Sequence, residues 1–77
     1  MPLTTKHTKI SSSDIESAGY DEKFECLEIT FKATGTYRYY SVPPTVASDF
    51  IESPAPGKFF LQHIKGKYSR EYVRERV

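Results

Sequence analysis

From Cys26 to Ala33 the chain alternates with period two, Leu27, Ile29 and Phe31 standing between Glu28, Thr30 and Lys32. Successive side chains of a strand point to opposite faces, so this run predicts a strand with one buried and one wet side. Such a strand needs paired neighbours and a cover for its apolar face. Thr34-Gly35-Thr36 reads as a short hairpin connection into a second strand, Thr36 to Val42. There Tyr37 and Tyr39 fall on one face, and Arg38, Tyr40 and Val42 on the other. Upstream, Ile15 to Tyr20 supplies a further strand, with Ala18 and Gly19 allowing close backbone approach, and Asp21-Glu22-Lys23 supplies the turn.

The cover follows in sequence. Pro43-Pro44 ends the last strand, and a proline is tolerated in the first helical turn because its missing N–H has no partner there. Val46, Ala47, Phe50 and Ile51 form an apolar stripe that runs to Glu52, and Ser53 to Gly57 then turns the chain. A second helix is expected from near Lys58, with Phe60, Leu61 and Ile64 on one face and Gly66 as a left-handed cap before Lys67 and Tyr68. The predicted class is α+β: an antiparallel meander of three or more strands covered by two C-terminal α-helices. Residues 1–12 read as a flexible arm, 13–70 as the single domain and 71–77 as a charged tail that frays or adds a helical turn.

A chain of 77 residues buries only about 60% of the surface it exposes when unfolded, so the core must draw on its eleven aromatics, six Tyr and five Phe. At least one of Tyr37 and Tyr39 is expected to be core. Cys26 is the only cysteine, which rules out an intramolecular disulfide and a thiolate zinc cluster and points to a reducing, cytoplasmic setting. No segment reads as a signal peptide or a membrane span.

The charge is uneven. Residues 1–56 hold five Lys/Arg against eight acids, a net of −3, whereas residues 57–77 hold six against two, a net of +4. A basic end on a near-neutral domain can steer a phosphate backbone or an acidic partner, and it is equally what a solvated helix face looks like.

Cys26 has no basic neighbour in sequence and reads as structural. His63 follows Phe59 by one turn and reads as a surface histidine, while His7 lies in the arm, so no two-histidine metal site is expected and no cofactor is called for. Gly35, Gly57 and Gly66 are isolated, and no phosphate-cradling glycine pattern is present. Gly57-Lys58, at a helix start, offers one phosphate some N–H groups and a cation.

Ser13-x-Ile15, Ala18-Gly19-Tyr20-Asp21, Leu27-Glu28-Ile29-Thr30-Phe31, Gly35-Thr36-Tyr37-Arg38-Tyr39, Val42-Pro43, Gly57-x-Phe59-Phe60, His63-Ile64 and Lys67-Tyr68 follow one another in an order that resembles the KTSC family. That family is named for a segment at the C-terminus of some lysyl-tRNA synthetases and also occurs as small stand-alone bacterial proteins. The resemblance covers residues 13–70, with Tyr37 and Tyr39 as the hallmark pair. It departs at Leu61, where Asn often follows the aromatic pair, and at Ser69, where Pro is common. The resemblance implies a small α+β domain, no established activity and nucleic-acid binding, the last from the family's attachment to a tRNA-handling enzyme.

The functional expectation is a non-catalytic binding module, a monomer or weak dimer, that takes RNA or another nucleic acid. Aromatic and basic residues interleave at Arg38 and Tyr40 on the strand and at Lys58, Lys65, Lys67, Tyr68 and Arg70 towards the C-terminus, and rings can stack bases while cations track phosphates. The alternative is a protein-interaction or self-associating module that uses an unpaired strand edge. A metal-independent ribonuclease built from Tyr, Lys and His is the third reading, ranked below both.

Overall fold

The structure, a computed structural model, describes residues 7–73. A five-stranded antiparallel sheet carries a helical layer on one face. The strands are β1 (His7–Lys9), β2 (Ile15–Asp21), β3 (Cys26–Phe31), β4 (Gly35–Tyr39) and β5 (Arg70–Val73), and they lie in the sheet in that order. Between β4 and β5 the chain forms α1 (Pro44–Glu52) and α2 (Pro56–Phe59), which runs into a π-helical segment, Phe60–Ile64.

The alternation in β3 puts Leu27 and Ile29 in the core as the sequence predicts, but corrects the reading of the other face as wet, because Glu28 is 2% exposed there. Leu27 pairs with Tyr39 and Ile29 with Tyr37, so all four point to the same side, where α1 contributes Ala47 and Phe50 and the π-helical segment Phe60 and Ile64. Tyr39 is 1% exposed, and Tyr37 packs against the core from its edge. The Tyr-x-Tyr pair is therefore in part a folding motif.

Local chemistry sets the turns. Asp21 Oδ1 accepts the N–H groups of Lys23 (3.0 Å) and Phe24 (3.4 Å), which closes the β2–β3 turn. Gly35 opens β4 at φ +99°, a region that side chains with a Cβ rarely adopt. Pro44 and Pro56 stand at the first positions of α1 and α2. Lys65 N–H reaches back to the Phe60 carbonyl at 2.8 Å, the five-residue step of a π turn, and Gly66 at φ +77° then redirects the chain.

Strands stand at both ends of the described residues. Within the expected arm 1–12, His7–Lys9 is a strand paired with Ser17–Gly19, and Ile10 is buried beneath the helices. Three residues are too short to show strand periodicity, so their order comes from β2 supplying hydrogen-bond partners. Within the expected tail 71–77, Glu71–Val73 belong to β5, which pairs with Thr36–Tyr39. Residues 1–6 of the arm and 74–77 of the tail lie outside the described residues.

Candidate nucleic-acid interface

The sheet has two faces of different chemistry, and the candidate residues divide between them. On the face away from the helices, the antiparallel register aligns His7, Gly19, Glu28, Arg38 and Glu71 in one row across all five strands. Gly19 has no side chain to stand in the way, so His7 spans it: Nε2 lies 2.6 Å from Glu28 Oε1, and Nδ1 lies 2.8 Å from Ser17 Oγ. Glu28 is 2% exposed, and its other oxygen is 3.7 Å from Arg38 Nε.

Arg38 faces a second carboxylate, Glu71, at 3.9 Å, and the Tyr40 hydroxyl donates to Glu71 while accepting from Arg38. The hydrogen bond to Glu71 is the main reason Tyr40 holds its proton above the usual tyrosine range. Arg38 and Tyr40 are thus bound into a charge-compensated row. Cys26, next to this row, is buried, and loss of hydration pushes its thiol up to about 11.

The helical side of the sheet is different around β4 and β5. Phe60 and Phe31 meet edge to face with centroids 5.2 Å apart, Phe31 and Tyr37 at 5.9 Å, and Tyr37 and Tyr72 at 5.2 Å. The four rings form a continuous row that emerges from the core. Tyr72, at its outer end, is 51% exposed. The Arg70 guanidinium lies 5.0 Å from the Tyr37 centroid, within cation–π range.

Lys65 and Lys67 are exposed on the turn that leads from the π-helical segment towards β5, and Lys58 is exposed on α2. Tyr68 is half-buried against the core, which leaves it less to offer a ligand. His63 is exposed and lies against Phe59 at 4.6 Å, whereas His7 is committed to Ser17 and Glu28 on the opposite face. The structure does not bring the two histidines together. Among the described residues, no group of three or more His, Cys, Asp or Glu is placed to hold a metal ion, and no helix is long and apolar enough to cross a membrane.

Of the seven candidate binding residues, the structure gathers Arg70 with the aromatic row and sets Arg38 and Tyr40 on the other face. Phe31, which the sequence places on the buried face of its strand, and Tyr72, which it does not single out, join the row. Tyr72 becomes visible only once Arg70–Val73 is recognised as a strand, and the sole signal for that is a four-residue run, Arg-Glu-Tyr-Val.

A family model described as the KTSC domain matches residues 11–68. A lysine–tRNA ligase of Nostoc punctiforme is 36% identical over 65 residues, which is 84% of this chain and 12% of the ligase. The chain therefore spans about an eighth of that relative. An uncharacterized protein of Stutzerimonas stutzeri is 35% identical over 84% of this chain and 92% of its own length. A crystal structure of a KTSC domain protein from Yersinia pestis matches with a TM-score of 0.90 at 37% identity, covering 92% of this chain and 100% of that one.

Proposed function

The chain belongs to the KTSC domain family, and from that premise we propose that it is a small non-catalytic binding module that holds single-stranded RNA along the Phe31–Tyr37–Tyr72 row. The observation that carries this reading is the row itself: three rings in edge-to-face succession, Phe31 and Tyr37 half-buried and Tyr72 exposed on β5, with Arg70 seated on the central one. Bases stack on such rings without regard to sequence, at about 1 to 3 kcal/mol each, while cations follow the backbone. Lys65 and Lys67, on the approach to β5, supply further positive charge. The relation to a lysine–tRNA ligase makes RNA the first ligand to try, and a cytoplasmic setting accords with it.

Amide-shift titration with a short single-stranded RNA at low and moderate salt tests the reading. Shifts at Tyr37, Arg70 and Tyr72 that fade as salt rises support it, because phosphate contacts release counterions. Absence of any shift sinks it. A concentration-dependent change at the β1 or β5 edge would instead favour strand pairing with a protein or a second copy.

A further inference from the structure

Among the described residues β5 is an edge strand of four residues, and it supplies both Arg70 and Tyr72 to the aromatic row. Four residue pairs join it to β4, and a short strand at a sheet edge is where local opening starts. Side chains alternate along it, so Glu71 stands on the face away from the helices while its two neighbours stand on the helical side. There Glu71 meets two groups from β4 and the residue that follows it. Arg38 Nη1 lies 3.9 Å from its Oε1, and the Tyr40 hydroxyl donates to the same oxygen. Arg38 Nη1 also lies 3.4 Å from the Tyr40 oxygen, which closes the three groups into a ring.

An exposed ion pair alone holds little, because it must order two mobile side chains. This one differs in two ways. Arg38 is partly buried and already aimed by Glu28, whose other oxygen contacts His7, so its orientation is set before β5 arrives. The tyrosine hydroxyl adds a hydrogen bond to a carboxylate, a stronger class than a bond between neutral groups. The grip also reads position. Arg38 is the one cation of β4 and Glu71 the one acid of β5. A slip of one residue would turn Arg70 and Tyr72 to the far face, and a slip of two would move Tyr72 away from Tyr37. Either takes Glu71 off Arg38.

We propose that Arg38 and Tyr40 are positioning residues for the RNA site: through Glu71 they dock β5 in the register that sets Arg70 and Tyr72 on the aromatic row, without touching the RNA themselves. The inference rests on the RNA reading above. It assigns a role to two residues that the sequence offers to a ligand and that the fold turns to the opposite face. Coupling between the two faces of one strand is reciprocal, so RNA that binds only docked β5 must in turn tighten the grip on Glu71. Simple electrostatics makes the opposite forecast for Glu71, since removal of a negative charge near the site raises affinity for a polyanion.

The test measures single-stranded RNA affinity by fluorescence anisotropy, and amide hydrogen exchange, on the whole chain and on Glu71→Ala, Glu71→Gln and Tyr40→Phe. If Glu71→Ala leaves β5 docked about a fifth of the time, the apparent Kd rises about fivefold, because affinity scales with the docked fraction. Tyr40→Phe, which keeps every charge, should weaken binding about twofold on the same basis. Glu71→Gln, which keeps an acceptor for the Tyr40 hydroxyl, should recover part of the loss. Exchange should quicken at residues 70–73 in step with the lost affinity and stay unchanged in β2 and β3. The salt slope should be the same in all four proteins, since no phosphate contact is removed. RNA should also shift the Tyr40 ring resonances of the unmodified chain from the far side of the sheet. Affinity unchanged or raised in Glu71→Ala, or weakened with exchange at 70–73 unaltered, overturns the positioning role. Faster exchange in the variants while no protein binds RNA overturns the RNA reading instead, and leaves Glu71 a stabiliser of β5 alone.

Discussion

Arg70 holds its guanidinium 5.0 Å from the ring centroid of Tyr37, which lies on β4 two residues from Tyr39, the residue Arg70 pairs with. An arginine so placed meets a phosphate without having to be ordered first. Arg70→Ala should weaken single-stranded RNA binding several-fold and lower the salt slope by about 0.7, the value of one phosphate contact on a single strand. Tyr72→Ala should weaken it about tenfold, one base stack, with the salt slope unchanged. A salt slope identical in Arg70→Ala and the unmodified chain would remove Arg70 from the interface.

Gly35 supports that interface from below. At φ +99° an added Cβ would lie 3.1 Å from the Tyr72 hydroxyl and 3.2 Å from its ring. Gly35→Ala should therefore cost about 1 to 3 kcal/mol of stability from the backbone alone and shift the Tyr72 ring. Urea unfolding reads the first effect and the Tyr72 ring resonances the second. Unaltered resonances would show that Tyr72 is not held by this contact.

His7 secures β1 to the sheet through Glu28. His7→Ala leaves a carboxylate that is 2% exposed with its nearest cation, Arg38 Nε, at 3.7 Å. A loss of about 1 to 3 kcal/mol is expected, the usual cost of a buried polar group deprived of its partner. Amide protection in Thr8 and Lys9 should fall with it. His7→Gln, which keeps a donor, should recover part of the loss; equal midpoints for all three proteins would assign β1 to backbone pairing alone.

Cys26 gives the fold an alkaline limit. The unfolded thiol ionises near its ordinary 9.0, whereas burial holds the folded thiol to about 11. Between those values the unfolded chain binds fewer protons than the folded one, so stability is complete below pH 9 and declines as pH rises to 11. Burial raises Tyr39 in the same sense, with Arg70 opposing it. Cys26→Ala should therefore show a shallower decline over pH 9 to 11 without abolishing it. Parallel curves for the two proteins would mean that Cys26 is hydrated in solution.

The alternation Leu27 to Lys32, the turn residues Asp21 and Gly35, Pro44 at a helix start and the apolar spacing that follows were enough to specify the β2–β3–β4 meander and the two helical segments, though the second begins at Pro56 where the sequence reads a turn. Each of these effects acts over a few residues: side chains alternate along a strand, a Cβ excludes positive φ, and a proline lacks its N–H. The resemblance carried by Tyr37, Tyr39 and Gly57-x-Phe59-Phe60 also led to the family. What the tertiary structure alone decided was the fate of residues too short or too mixed to show a period. His7–Lys9 and Arg70–Val73 become strands because β2 and β4 offer them hydrogen-bond partners across the sheet. The same pairing settled where the cations go: Arg38 sits between Glu28 and Glu71 with the Tyr40 hydroxyl bonded to Glu71, while Arg70 comes to lie on Tyr37. Coulomb forces and ring packing depend on distance in space, and residues 37 and 70 are close only once the chain has folded back across the sheet.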